Sequence, residues 1–166
     1  METTKTSLIQ ILWDGPYSIT DLVKLKNEEI DYGIYQIYGH HPVYGNGVLL
    51  YIGKADFQTI GQRISQENWP DTNDSNNTQI YVGRFHGSKN PTQTEWSVEI
   101  DLAEQLLIYV HKPAYNSKGI SSIEDLKFQD IHILNWGNYR SLLPEISGLR
   151  WTSKLDDLVF EMYKWV

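Results

Sequence analysis

Two glycine-bounded strings constrain this chain more than any other feature: EIDYGIYQIYG, which contains Gly33-Ile34-Tyr35, and GVLLYIGKADF, which contains Tyr51-Ile52-Gly53. Both are dense in β-branched and aromatic residues, which marks them as strands. Between them GHHPVYGNG carries Pro42 and Gly45-Asn46-Gly47, the composition of a turn. The two strands are therefore expected to pair as an antiparallel hairpin. Side-chain alternation then sends Tyr35 and Tyr51 each toward one face of the sheet, where they can meet.

The chain has 166 residues, of which 40% are hydrophobic and 13% aromatic, enough for one compact core. It reads as a single domain over 1–166, with a core at about 31–116 and a covering extension at about 117–166. Cysteine is absent, which excludes disulfides, thiol chemistry and cysteine-held zinc and suits a reducing cytoplasm. The apolar run near the N-terminus is too short for a signal peptide or a membrane span. A soluble, cytoplasmic protein is expected.

In chain order, residues 1–12 read as a frayed or edge segment and Asp14-Gly15-Pro16 as a turn. Ser18 to Lys26 reads as a helix capped by Ser18 or Thr20. The hairpin follows, then a helix over Asp56–Glu67 with Ile60 and Ile64 on one face. Gln66–Asn77 is loop-like, and Ile80–Phe85 is a third strand. Glu95–His111 is the longest helix, with Trp96, Ile100, Ala103, Leu107 and Val110 as its apolar stripe and Pro113 as its stop. Asp130–Trp136 reads as a strand, Pro144 and Gly148 as breaks, and Lys154–Trp165 as an amphipathic helix.

Glu104 lies at the margin of the apolar stripe, where a carboxylate is costly unless something positive meets it. The ordered set GIY (33–35), YIG (51–53) with Lys54, Arg63, Glu104 and Pro113-Ala114-Tyr115-Asn116 resembles the GIY-YIG nuclease superfamily. The resemblance spans Gly33 to Asn116, about half of the chain. It implies an α+β fold, a small three-stranded antiparallel or mixed sheet flanked by helices; with no linker or composition shift in the chain, the N- and C-terminal extensions are expected to pack on the same core. It implies a hydrolase: a DNA endonuclease that cleaves phosphodiesters with one Mg²⁺ or Mn²⁺. Carried over by position, Glu104 is the metal ligand and Arg63 binds the scissile phosphate. Tyr35 and Tyr51 flank the attacking water, one of them as base, and Asn116 belongs to the site's surroundings.

The chemistry of these residues is compatible with the roles. Magnesium often takes only one or two carboxylates and keeps its waters, and arginine offers a permanently charged fork to phosphate. A tyrosine is a weak base at its ordinary pKa near 10; cations such as Lys54, Arg63 or the metal would favour its phenolate. Which tyrosine acts as base stays open. Each residue also has a plainer reading: core aromatics for the tyrosines, a helix-surface arginine, a carboxylate paired with lysine, a loop asparagine.

Other candidates are weaker. His40-His41 lacks a third ligand and reads as a solvated hairpin tip. Arg84, His86, Lys89, Lys112 and Lys118 form either a basic rim or scattered surface. Trp69 is a candidate for stacking on bases, whereas Trp96 reads as core. Two features depart from the family: the interval from Gln36 to Leu50 is longer than usual, and 14 Lys and Arg against 21 Asp and Glu leave a net charge of −7. Proteins that grip phosphate backbone are usually basic. The charge favours an alternative, a catalytically silent module binding nucleic acid or a protein partner. Cleavage of both strands would call for a homodimer, and a partner subunit would supply the missing basic surface.

Overall fold

The computed structural model describes residues 6–67, 77–123, 128–152 and 164–165. Its elements are strand β1 (Ser7–Tyr17), a 3-10 turn (Ile19–Lys24), strands β2 (Gly33–His41) and β3 (Gly45–Ala55), helix α1 (Ile60–Ser65), strand β4 (Gln79–His86), helix α2 (Gln93–His111), strands β5 (Ile131–Gly137) and β6 (Glu145–Ser147), and helix α3 (Gly148–Thr152).

The three-stranded sheet flanked by helices is not what forms. Six strands make one mixed sheet, curled into a half-barrel, in the order β3-β2-β4-β1-β5-β6. The expected strands are present as β2, β3 and β4, but they are half of the sheet. The segment read as frayed or edge is β1, an interior strand, antiparallel to β4 and parallel to β5. Its inward residues Ile9, Ile11 and Trp13 are buried, a period-two signal blurred by the apolar Leu8 and Leu12 on the other face. Part of the C-terminal extension likewise joins the sheet as β5 and β6, because Ile131, Ile133 and Ile146 bury against the same core. Asp14-Gly15-Pro16 is an irregularity within β1, where pairing with β4 shifts between Asp14 and Tyr17.

The sheet has a core on each face. Ile9, Ile11, Trp13, Ile34, Ile52 and Tyr81 meet Ile100, Ala103 and Leu107 of α2. Tyr35, Ile37, Ile80 and Val82 meet Leu22 and Leu25 from the 3-10 segment and Ile60 and Ile64 of α1. With both faces covered, the first seven residues of β2 are all buried, hence the apolar and aromatic run GIYQIYG, interrupted by the buried Gln36. Burying residues of this kind contributes about 1.5–3 kcal/mol per large side chain.

Capping sets the helices. Thr92 begins α2 in a capping box with Glu95, each side chain bonding the other's backbone N–H at 3.3 and 2.8 Å. Thr59 begins α1 likewise with Gln62, so this helix is shorter than the expected Asp56–Glu67. Gly61 lets α1 abut the 3-10 segment, since a Cβ there would lie 2.3 Å from the Leu22 carbonyl oxygen. The helix expected over Lys154–Trp165 lies outside the described residues, apart from Lys164 and Trp165, which are not helical. Among the described residues no helix is long and apolar enough to cross a membrane.

Candidate active site

The hairpin register places Tyr35 opposite Gly53 and Tyr51 opposite Ile37, so the two tyrosines are diagonal neighbours on one face. Their ring centroids are 6.1 Å apart. Gly53 makes this possible. A Cβ there would lie 2.6 Å from Cζ and Oη of Tyr35 and 2.7 Å from Cε1 of Tyr51. The glycine of YIG is thus the floor over which the GIY tyrosine lies.

Arg63 and the chain just past α1 close over these rings. The Tyr35 hydroxyl donates to Oε1 of Glu67 at 3.0 Å, and Nη2 of Arg63 meets the same oxygen at 3.1 Å. Burial pushes the Tyr35 phenol well above its ordinary range, reinforced by the Glu67 carboxylate. Burial also raises Tyr51, with Glu67 and Glu104 adding and Arg63 opposing. The expected phenol-lowering influence of neighbouring cations is outweighed by burial and by Glu67.

Lys54 is displaced from its expected role beside Tyr51. Strand alternation carries it to the other face, where its ammonium pairs with Asp56 at 3.2 Å and Asp101 at 3.0 Å. Asp56 also accepts from the Ser97 hydroxyl at 3.0 Å. Glu104, one turn along α2 from Asp101, is within electrostatic reach of both parts of the site. Burial pushes its carboxyl up to about 7; Lys54 and Arg63 oppose this, and Asp101 and Asp56 add to it. Among the described residues no hydrogen bond or ion pair reaches the Glu104 side chain.

Asn116 has a definite structural task. Its Oδ1 accepts from the Ile52 N–H at 3.0 Å and its Nδ2 donates to the Ile52 carbonyl at 2.9 Å. Ala114 and Tyr115 donate their backbone N–H groups to Leu49 and Leu50. This segment covers the open edge of β3, between the YIG residues Tyr51 and Gly53.

The remaining candidates fall away from the site. His40 bonds Asn46, and His41 accepts from the backbone of Val43 and Tyr44, which organises the hairpin tip. Arg84 is held by the buried Asp31 at 2.6 Å, and Lys112 lies over the Tyr109 ring. Among the described residues no contact joins the five basic residues into a rim. Trp96 is partly buried against the core, and Trp69 lies outside the described residues. Sequence reading missed Glu67, Asp56 and Asp101. Only the spacing of Glu67, four residues after Arg63, hinted at a link.

Among the described residues no group of three or more His, Asp or Glu is arranged to hold a metal ion. The donor set that fits Mg²⁺ or Mn²⁺ is the single Glu104 carboxylate, which has no hydrogen-bond partner among the described residues. A hard cation completed by waters and substrate oxygens needs no more. Comparison with protein-family models, curated proteins and solved structures found no match to this chain.

Proposed function

We propose that this chain is a metal-dependent DNA endonuclease of the GIY-YIG type, acting in the cytoplasm. The observation that carries the reading is geometric: the Tyr35 and Tyr51 rings lie 6.1 Å apart and Arg63 closes over them through Glu67, while the half-buried Glu104 carboxyl on α2 has no hydrogen-bond partner among the described residues. A Mg²⁺ or Mn²⁺ ion held by Glu104 would supply charge stabilisation at the phosphoryl oxygens. Arg63 binds the scissile phosphate through its planar fork. Tyr35 is fully buried and its hydroxyl is committed to Glu67. Tyr51 is only partly buried, so it takes the place beside the attacking water. Its phenol stays protonated near neutral pH and orients that water by hydrogen bonding. With a carboxyl near 7, Glu104 becomes an anionic ligand at or just above neutrality.

Supercoiled plasmid incubated with Mg²⁺, Mn²⁺ or EDTA tests this. Wild type is expected to nick or linearise it only with metal, and Glu104→Ala and Arg63→Ala to be inactive. Full activity in Glu104→Ala would overturn the site. DNA binding without any cleavage would support the silent module instead. In either case a homodimer or a basic partner subunit would help bring DNA to an acidic chain.

A further inference from the structure

We propose that Glu67 is an internal stand-in for the scissile phosphate, occupying Arg63 until DNA displaces it; this rests on the nuclease reading above. One carboxylate oxygen takes both the Arg63 guanidinium and the Tyr35 hydroxyl, the donor pair that an anionic substrate oxygen would seek. Helix stabilisation does not explain this carboxylate. Glu67 lies past the last turn of α1 (Ile60–Ser65), where the helix dipole disfavours negative charge. Its spacing to Arg63, base first and acid four residues later, is the weaker orientation for a helical pair. The pairing makes sense as a resting contact that keeps the guanidinium aimed and stops it from gripping other anions.

The structure also offers the displaced carboxylate a destination. Glu67 lines a cleft of about 300 Å³ between the 3-10 segment and α1, whose walls include Ile19, Leu22, Ile64 and Lys26. A Glu67 carboxylate released from Arg63 would turn into this cleft, where pairing with Lys26 would offset the lost guanidinium.

The test is duplex-DNA binding by fluorescence anisotropy, in EDTA at low salt, with all proteins in a Glu104→Gln background so that nothing is cleaved. Glu67→Gln keeps an acceptor for Tyr35 but removes the charge that competes for Arg63. It is expected to bind about fivefold tighter than its parent, and the gain is expected to vanish when Arg63→Ala is added. Glu67→Asp retains the charge with a shorter reach; binding as tight as that of Glu67→Gln would show that a local packing change, not charge competition, sets affinity, and would overturn the proposal. Equal or weaker Arg63-dependent binding by Glu67→Gln overturns the stand-in role alone and leaves the nuclease reading intact. Absence of Arg63-dependent binding in every protein overturns both. Thermal unfolding of each variant verifies that the compared proteins are folded.

Discussion

The side-chain amide of Asn116 pairs with both backbone groups of Ile52, at 3.0 and 2.9 Å, as a neighbouring strand would. β3 is the outer strand of the sheet, and this pairing closes part of its edge. Asn116→Ala is expected to lose about 2 kcal/mol in urea denaturation. It should also promote association through the bared edge, measured by light scattering at rising concentration. Unchanged stability would mean that water replaces the amide without cost.

Gly53→Ala tests the floor beneath the tyrosines. The added methyl overlaps both rings, and overpacking of this kind costs about 1–3 kcal/mol. The unfolding midpoint should fall, and plasmid cleavage should fall further than stability explains, because Tyr35 and Tyr51 are the atoms that must move.

Glu104 gives stability a definite pH dependence. Its carboxyl ionises near 7 when folded against an ordinary value of 4.5, so between these values the folded chain holds the extra proton. Its contribution is therefore fully present below about pH 4.5 and is lost as pH rises through 7, a change of about 2–3 kcal/mol. Denaturation of wild type and Glu104→Gln at pH 5 and pH 8 should show the gap between them changing by this amount, with the variant the steadier protein. Mg²⁺ at pH 8 should then raise the midpoint of wild type and leave Glu104→Gln unmoved.

The far side of the sheet carries its own polar link. The Trp13 indole donates to Oδ1 of the buried Asn135 at 2.8 Å, and Nδ2 of Asn135 donates to the Leu143 carbonyl at 2.8 Å. Asn135→Leu strands both partners and should cost about 3 kcal/mol. Adding Trp13→Phe, which removes one stranded donor, should recover part of that loss. A strictly additive double variant would show that the two side chains are not coupled.

The hairpin, the third strand, the long helix and the meeting of Tyr35 with Tyr51 were legible in the sequence because each depends on local pattern. Alternation, turn glycines and an apolar stripe all lie within a few residues of what they specify. The sheet's true size was not legible. β1 finds its neighbours at Gln79–His86 and Ile131–Gly137, and no local signal names partners that distant. Lys54 was misplaced for a related reason. Three residues from Tyr51 is an odd step along a strand, which puts it on the opposite face, and only the structure revealed that α2 waits there with Asp101. Glu67 escaped notice because its meaning lies in the shared oxygen that joins Arg63 to Tyr35.

The parallel pairing of β1 with β5 has a consequence for how the chain comes off the ribosome. β1 is made early, yet both of its flanking strands are made much later, the last of them after α2 is complete. A nascent chain halted before Ile131 would already hold the hairpin, both tyrosines and Glu104. It would still leave one flank of β1 unpaired and ready to take a strand from another molecule. Closure of the sheet on β5 thus has to wait for residues made after those of the tyrosine pair.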